Sequence, residues 1–160
     1  MKLYRDLFTN DDMISDGYKL ELIDEVVFKV KGTYRAKGES DYGIESTEQL
    51  DENVEQVIDI VDTFELQEFS FSKKQFGMWA KGYMKKLKTH IEENNPEHLK
   101  TFMKNISKFI KGVASEFDEY AFYLGKSMDS ESAVALMRYG SDGLTPYFYY
   151  IKDGLYGKKV

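Results

Sequence analysis

The chain has 160 residues, the size of one ordinary domain, and 42% of them are hydrophobic and 15% aromatic. This apolar content is too high for a disordered protein. There is no cysteine, so disulfide bonds and thiolate metal sites are excluded. We therefore expect a single folded domain over residues 1–160.

The charge is unevenly distributed along the chain. The formal net charge is −6, yet residues 73–111 contain ten lysines and three acidic residues, so this segment carries +7 and the rest carries −13. Such segregation can steer charged partners. Met1–Asp6 is not followed by an apolar signal segment, and no run of residues is apolar enough to span a membrane. We therefore expect a cytoplasmic protein.

The first third of the chain is typical of strands. Tyr18–Leu22 alternates polar and apolar residues, and Val26–Val30 is rich in β-branched residues. Residues 37–53 contain almost no core-forming side chains, which predicts a mobile acidic loop. The pattern of Val54–Val61 then favours another strand, continued by apolar residues as far as Phe71.

The middle of the chain predicts an antiparallel helical hairpin over residues 72–117. Ser72 and Gln75 have the spacing of a capping box, and apolar residues then recur at helical intervals as far as Ile91. Asn95 and Pro96 suit the N-cap and first position of a second helix. The connection is short, so the two helices should be neighbours.

Strands are predicted again after the hairpin, at Tyr120–Leu124, Ala133–Tyr139 and Thr145–Lys152. Pro146 suggests either the start of a strand or an edge strand. Strands, a helical hairpin and further strands indicate an α+β fold.

Short segments spread along nearly the whole chain resemble the translationally controlled tumour protein family in their order and spacing. They are Tyr4–Leu7, Ser15–Asp16, Tyr18–Lys19, Ile58–Val61, Leu66–Glu68, Ser70–Phe71, Tyr83–Lys85, Pro96–Glu97, Val134–Leu136, Asp142–Gly143, Thr145–Tyr147 and Lys152–Leu155. The resemblance implies a twisted, mainly antiparallel β-core, called a β-tent and similar to the Rab-accessory-factor fold. It also implies a projecting helical hairpin and a mobile acidic loop.

The resemblance implies a binding and regulatory protein and not an enzyme. Family activities are weak calcium binding, association with tubulin and microtubules, and contact with Ras-like small GTPases and translation elongation factors. The family also allows secretion without a signal peptide. The alternative is a calcium-buffering or chaperone-like protein with no role at a GTPase.

Asp12, together with Asp11 and Asp16, is the candidate GTPase contact by resemblance. The family usually has Glu at the position of Asp12, so the carboxylate here has a shorter reach. The family's Gly-Glu pair is Gly125–Lys126 in this chain, which reverses one charge. A solvated turn is the alternative explanation for the acids near Asp12.

The acidic loop is a candidate for weak calcium binding, because hard cations prefer several carboxylate oxygens. Ordering a loop costs about 1–2 kcal/mol of backbone entropy per residue, so affinity no better than about 10⁻⁴–10⁻³ M is expected. No cofactor is otherwise required, and a loop that binds nothing specific is the alternative. The candidate ligands are Glu39, Asp41, Glu45, Glu48, Asp51, Glu52 and Glu55.

The lysines of the hairpin are the strongest functional feature of the sequence. Their helical spacing places them opposite the apolar stripes, where they could dock on an acidic protein surface such as tubulin tails or could simply be solvated. Nucleic acid is not expected as a partner, because arginine, the main reader of bases, is absent between Arg35 and Arg138. The lysines are Lys81, Lys85, Lys88, Lys100, Lys104, Lys108 and Lys111.

Other motifs favour ordinary structural roles. Gly125–Ser127 resembles the end of a phosphate-binding loop, but the glycine that the motif needs is replaced by Tyr120, so a turn after a strand is expected. His90 and His98 belong to different helices and have no accompanying cysteine or third histidine, so we expect surface histidines and no zinc.

Overall fold

The computed structural model describes residues 1–37 and 55–160. Within these ranges the chain is α+β, as predicted. Its elements are β1 (Lys2–Asp6), β2 (Asp12–Ser15), β3 (Glu21–Ile23), β4 (Val27–Lys31), β5 (Tyr34–Ala36), β6 (Gln56–Ile58), α1 (Asp59–Phe64), β7 (Gln67–Phe69), α2 (Lys73–Asn94), α3 (Leu99–Ser115), β8 (Ala121–Leu124), β9 (Val134–Tyr139), β10 (Pro146–Ile151) and β11 (Leu155–Lys159).

The strands form three antiparallel sheets. The largest has the order β3-β4-β10-β9-β8-β7, a second has the order β11-β1-β2, and β5 pairs with β6. Pro146 opens β10 and pairs with Tyr139 of β9. β10 lies inside the sheet, but Pro146 is its first residue. Proline is tolerated there because its missing N–H does not interrupt the hydrogen-bond ladder of the strand.

The helical hairpin closes one side of the core. Ser72 and Gln75 form the predicted capping box, with Ser72 Oγ accepting from Gln75 N at 3.0 Å and Gln75 Oε1 accepting from Ser72 N at 2.8 Å. A 3₁₀ turn at Pro96–His98 separates α2 from α3. Asn95 is the N-cap residue and Pro96 the first residue of this turn, as predicted, but the Asn95 side chain makes no capping hydrogen bond.

The core continues from the helices into the large sheet through aromatic side chains. Phe76 of α2 lies 5.4 Å from Phe122 of β8 between ring centroids, and Phe109 of α3 lies 6.2 Å from Tyr149 of β10. Phe102 and Phe76 are almost completely buried. Both apolar stripes of the hairpin therefore belong to the common core.

The prediction of one strand over Val54–Val61 is wrong in its second half, where α1 begins at Asp59. Asp59 Oδ1 accepts from Ile60 N and from Thr33 N, each at 2.8 Å, so its carboxylate satisfies an amide at the start of the helix. Ile60 and Phe64 are both buried, and their spacing of four places them on one face of a helix. The spacing of the buried apolar residues in this segment is therefore that of a helix and not that of a strand.

The first and last strands of the chain pair with each other in the three-stranded sheet. β1 pairs with β11 along its length, from Lys2 opposite Lys159 to Asp6 opposite Leu155, and with β2 on its other side. The sequence analysis did not predict these strands. The predicted strand at Tyr18–Leu22 lies later in the structure, at Glu21–Ile23.

Candidate protein-binding surfaces

The lysines of the hairpin lie on the outside of both helices. All seven predicted positions are exposed, opposite buried residues such as Leu87 of α2 and Ile106 of α3. None of the seven forms an ion pair within the described ranges. We call them the lysine face: Lys81, Lys85, Lys88, Lys100, Lys104, Lys108 and Lys111.

Lys86 has a different environment from the lysine face. Its Nζ donates to the Glu131 carbonyl oxygen at 2.9 Å and lies 5.0 Å from the centroid of the Phe8 ring. These contacts hold the middle of α2 against the loop before β9 and the turn after β1. Lys86 therefore has a structural role that its position in the sequence did not reveal.

The structure separates the three acids predicted to contact a GTPase. Asp11 and Asp12 line one polar cleft with Arg5, while Asp16 lies at the other end of β2, where its Oδ1 accepts from Lys2 N at 2.9 Å. Asp12 Oδ1 accepts from Arg5 Nε at 2.9 Å, and its side chain is 47% exposed. Asp12 is thus paired but still accessible from one side.

Asp11 is held by the turn that resembles part of a phosphate-binding loop. Its Oδ2 accepts from Ser127 N at 3.1 Å and from Ser127 Oγ at 2.6 Å. A Cβ at Gly125 would lie 2.5 Å from this oxygen, so glycine is needed for the close approach. The segment is a turn, as expected, and the anion that its donors hold is a carboxylate of the same chain.

The calcium prediction lies mainly outside the described residues. Glu39, Asp41, Glu45, Glu48, Asp51 and Glu52 are not described. Glu55 is exposed and pairs with Lys37, at 3.3 Å between Nζ and Oε2. In residues 1–37 and 55–160 there is no cluster of three or more potential metal-ligating side chains.

Two buried side chains with polar groups, Asp6 at the end of β1 and Tyr83 of α2, lie in the interior of the fold. Asp6 is 1% exposed, and its carboxylate accepts from Phe8 N at 2.9 Å and Ala133 N at 3.1 Å. Burial raises the pKa of Asp6 and outweighs these donors, which lower it. Tyr83, also buried, has no hydrogen-bond partner for its hydroxyl in the described part of the chain.

The prediction of a surface histidine is wrong for His98. Its side chain is 16% exposed, and Nε2 lies 3.3 Å from Asp153 Oδ2. Burial raises the pKa of Asp153, while His98 acts in the opposite direction. The pair joins the turn between the helices to the turn between β10 and β11.

The structure adds one surface that the sequence analysis missed. The apolar stripe of α2 was assigned wholly to the core, but Trp79 and the exposed Met78 also line a groove on the outside of the molecule. The helical period alone could not show that the neighbouring loop leaves this strip uncovered. No helix among the described residues is long and apolar enough to cross a membrane.

Antiparallel sheets packed against a helical hairpin that carries an exposed row of lysines define a small α+β protein. The family model for translationally controlled tumour protein matches residues 1–156. The chain belongs to this family.

Known relatives agree with this assignment along the whole chain. The translationally-controlled tumor protein homolog of Mycosarcoma maydis is 40% identical over 167 residues, with 100% of both chains covered. The solved structure of the tumor-associated protein p23fyp from Schizosaccharomyces pombe has a TM-score of 0.86 at 37% identity, with 100% of both chains covered. The Caenorhabditis elegans protein has a TM-score of 0.73 at 28% identity, covering 100% of this chain and 99% of that one.

Proposed function

We propose that this chain is a cytosolic regulatory protein that docks on acidic protein surfaces, such as tubulin tails, through its lysine face. The observation that carries the proposal is that all seven lysines are exposed and none is neutralised by an ion pair within the described residues. Unpaired cations next to one another raise the local potential and favour encounter with anionic partners.

The magnitude of the effect follows from exposed charge pairs. An exposed ion pair contributes about 0.2–1 kcal/mol, so four pairs contribute about 1–4 kcal/mol, or roughly five-fold to a thousand-fold in affinity. Replacing Lys81, Lys85, Lys100 and Lys104 with glutamate takes the segment 73–111 from +7 to −1. We expect this variant to bind tubulin at least about five-fold more weakly.

The control variant has the same net charge but a different charge pattern. It carries glutamate at Lys19, Lys31, Lys158 and Lys159, which are exposed residues outside the hairpin. Binding is measured by co-sedimentation and fluorescence anisotropy, with intact tubulin and with tubulin that lacks its acidic tails. The proposal fails if both variants lose the same affinity, if tail removal has no effect, or if raising salt to 0.15 M, where the Debye length is about 8 Å, leaves binding unchanged.

A second interface with a small GTPase, and by resemblance with translation elongation factors, is supported by the cleft at Asp12. Asp12 is 47% exposed and shares the cleft with Phe64 and Glu65 of the α1 end. Lys126 Nζ pairs with Glu65 Oε1 at 3.4 Å across the same region. The charge reversal at Lys126 relative to the family pattern therefore lies on the rim of this cleft and would alter which partner charges it accepts.

A further inference from the structure

An apolar groove of about 380 Å³ runs beside the exposed side of α2. Phe71 and Trp79 pack together along it, with ring centroids 6.1 Å apart, and Met78 is 66% exposed beside them. Ser130 and Glu131 of the loop before β9 form the opposite side. Large apolar side chains exposed next to a concave surface are typical of binding grooves.

Gly82 leaves the groove open towards the helix backbone. Glycine in a helix interior is about 1 kcal/mol less favourable than alanine. A Cβ at Gly82 would meet nothing within 4 Å, so no packing within the described structure requires glycine there. Any side chain at this position would extend into the groove, and its absence allows another chain to approach α2 closely.

The charge beside the groove indicates the chemistry of its occupant. Three lysines lie on the same exposed side of α2 as Met78. Lys74 is four residues before Met78, Lys81 is three residues after it and Lys85 is seven residues after it. None of them forms an ion pair in the part of the chain that the structure describes. An occupant with carboxylates on this side would neutralise them.

The length of the groove suits a short helix. Its lining along α2 extends from Gln75 to Lys86. At 1.5 Å per residue this is about 16 Å, or about three helical turns. A partner helix of that length presents apolar residues at positions i, i+3, i+4 and i+7 on one side.

We propose that the groove binds an acidic amphipathic helix of a partner protein. Its apolar side chains lie over Trp79 and Met78, and its carboxylates lie beside Lys74, Lys81 and Lys85. This inference rests on the proposed function of the lysine face and adds to it an apolar component that selects among acidic partners. A purely acidic segment gains only the charge contacts, while an amphipathic one also buries apolar area, at about 25 cal/mol per Å².

Two synthetic peptides of about 18 residues, about 27 Å as a helix, test the proposal. Both contain the same leucines and glutamates and no tryptophan; in one the leucines form a single helical stripe, and in the other they are scattered. Trp79 is the only tryptophan of the chain and lines the groove, so its fluorescence reports binding directly. We expect the striped peptide to bind at least about ten-fold more tightly and to shift the Trp79 emission.

Two matched glycine variants test the location of the site. Gly82→Leu fills the groove, while Gly77→Leu makes the same change on α2 outside the lining residues, where a Cβ also meets nothing within 4 Å. Both changes increase helix propensity, so both variants should fold. Gly82→Leu should weaken the striped peptide at least about ten-fold, and Gly77→Leu should change it by less than about two-fold.

The outcomes distinguish the groove from the lysine face. If both peptides bind alike, or if Gly82→Leu binds the striped peptide as well as Gly77→Leu does, the groove proposal is overturned while the lysine face remains. The variant Lys81→Glu with Lys85→Glu should weaken both peptides. If it weakens neither, the proposed function fails and the groove proposal, which depends on it, fails too.

Discussion

Asp6 links the end of β1 to the segment that leads into β9, and the substitution Asp6→Asn tests how much this link contributes. The carboxylate accepts from two backbone amides, Phe8 N at 2.9 Å and Ala133 N at 3.1 Å, and the side chain is 1% exposed. Asparagine keeps one acceptor oxygen but has an NH₂ group in place of the other, and this donor would face a backbone N–H. One amide therefore loses its partner, which costs about 1–3 kcal/mol when the amide is buried.

Urea unfolding measures this cost as a loss of unfolding free energy. Thermal unfolding measures it as a change in Tm, and for a chain of this length a loss of about 2 kcal/mol lowers Tm by about 4–8 °C. Asp16→Asn is the matched control, because Asp16 is exposed and its single bond from Lys2 N can be accepted by the asparagine oxygen. We expect the control to change stability by less than about 0.5 kcal/mol. An Asp6→Asn variant as stable as the control would refute the role of Asp6 as a buried acceptor.

The pH dependence of the stability of the natural protein and of Asp6→Asn gives a second test. Burial raises the pKa of Asp6 above its ordinary value of 3.8, so the folded state holds the proton to higher pH than the unfolded state. The cost of ionising the buried carboxyl is absent below pH 3.8 and complete above the raised pKa. The advantage of the natural protein over Asp6→Asn should therefore shrink as pH rises through this window. Asp153 also has a raised pKa, but it is present in both proteins.

The remaining predictions concern Gly154 and Asp12. A Cβ at Gly154 would overlap the Tyr83 hydroxyl oxygen, so Gly154→Ala should destabilise the fold by about 1–3 kcal/mol in urea unfolding. That hydroxyl has no hydrogen-bond partner in the described residues, so Tyr83→Phe should be nearly neutral. It should also reduce the cost of Gly154→Ala, because the overlapping oxygen is removed. If Gly154→Ala costs the same in the natural protein and in the Tyr83→Phe variant, the steric explanation is contradicted. Asp12→Ala should weaken small-GTPase binding in a pull-down and leave tubulin binding unchanged, whereas a parallel loss of both would place the two partners on one surface.

The helical hairpin could be predicted from the sequence because its signals are local. The capping box at Ser72 and apolar residues at intervals of three and four fix the start and the buried face of α2 without reference to distant residues. The exposed positions of the lysines follow from the same spacing. The strands at Val134–Tyr139 and Pro146–Ile151 were likewise marked by turn residues between them.

The missed features depend on residues far apart in the chain. β1 forms its ladder with β11, more than 140 residues away, and short polar strands such as Lys2–Asp6 carry little pattern of their own. α1 was mistaken for a strand, and the contact at its start is again a distant one, because the Asp59 carboxylate also accepts from Thr33, which lies between β4 and β5. The hydrogen bond from Ser127 Oγ to the Asp11 carboxylate likewise joins residues 116 positions apart. Spacing in the sequence carries no information about such contacts.

The distribution of ion pairs separates the cations that support the fold from those that remain available to partners. All three arginines form ion pairs, Arg5 with Asp12, Arg35 with Asp62 and Arg138 with Glu116. The planar guanidinium suits such fixed, directional contacts, whereas the lysine ammonium is strongly hydrated and sits on a flexible stem. A surface of unpaired lysines therefore gives a diffuse attraction with little geometric selectivity. Discrimination among acidic partners must then come from a feature with shape, and the groove at Trp79 supplies one next to that surface.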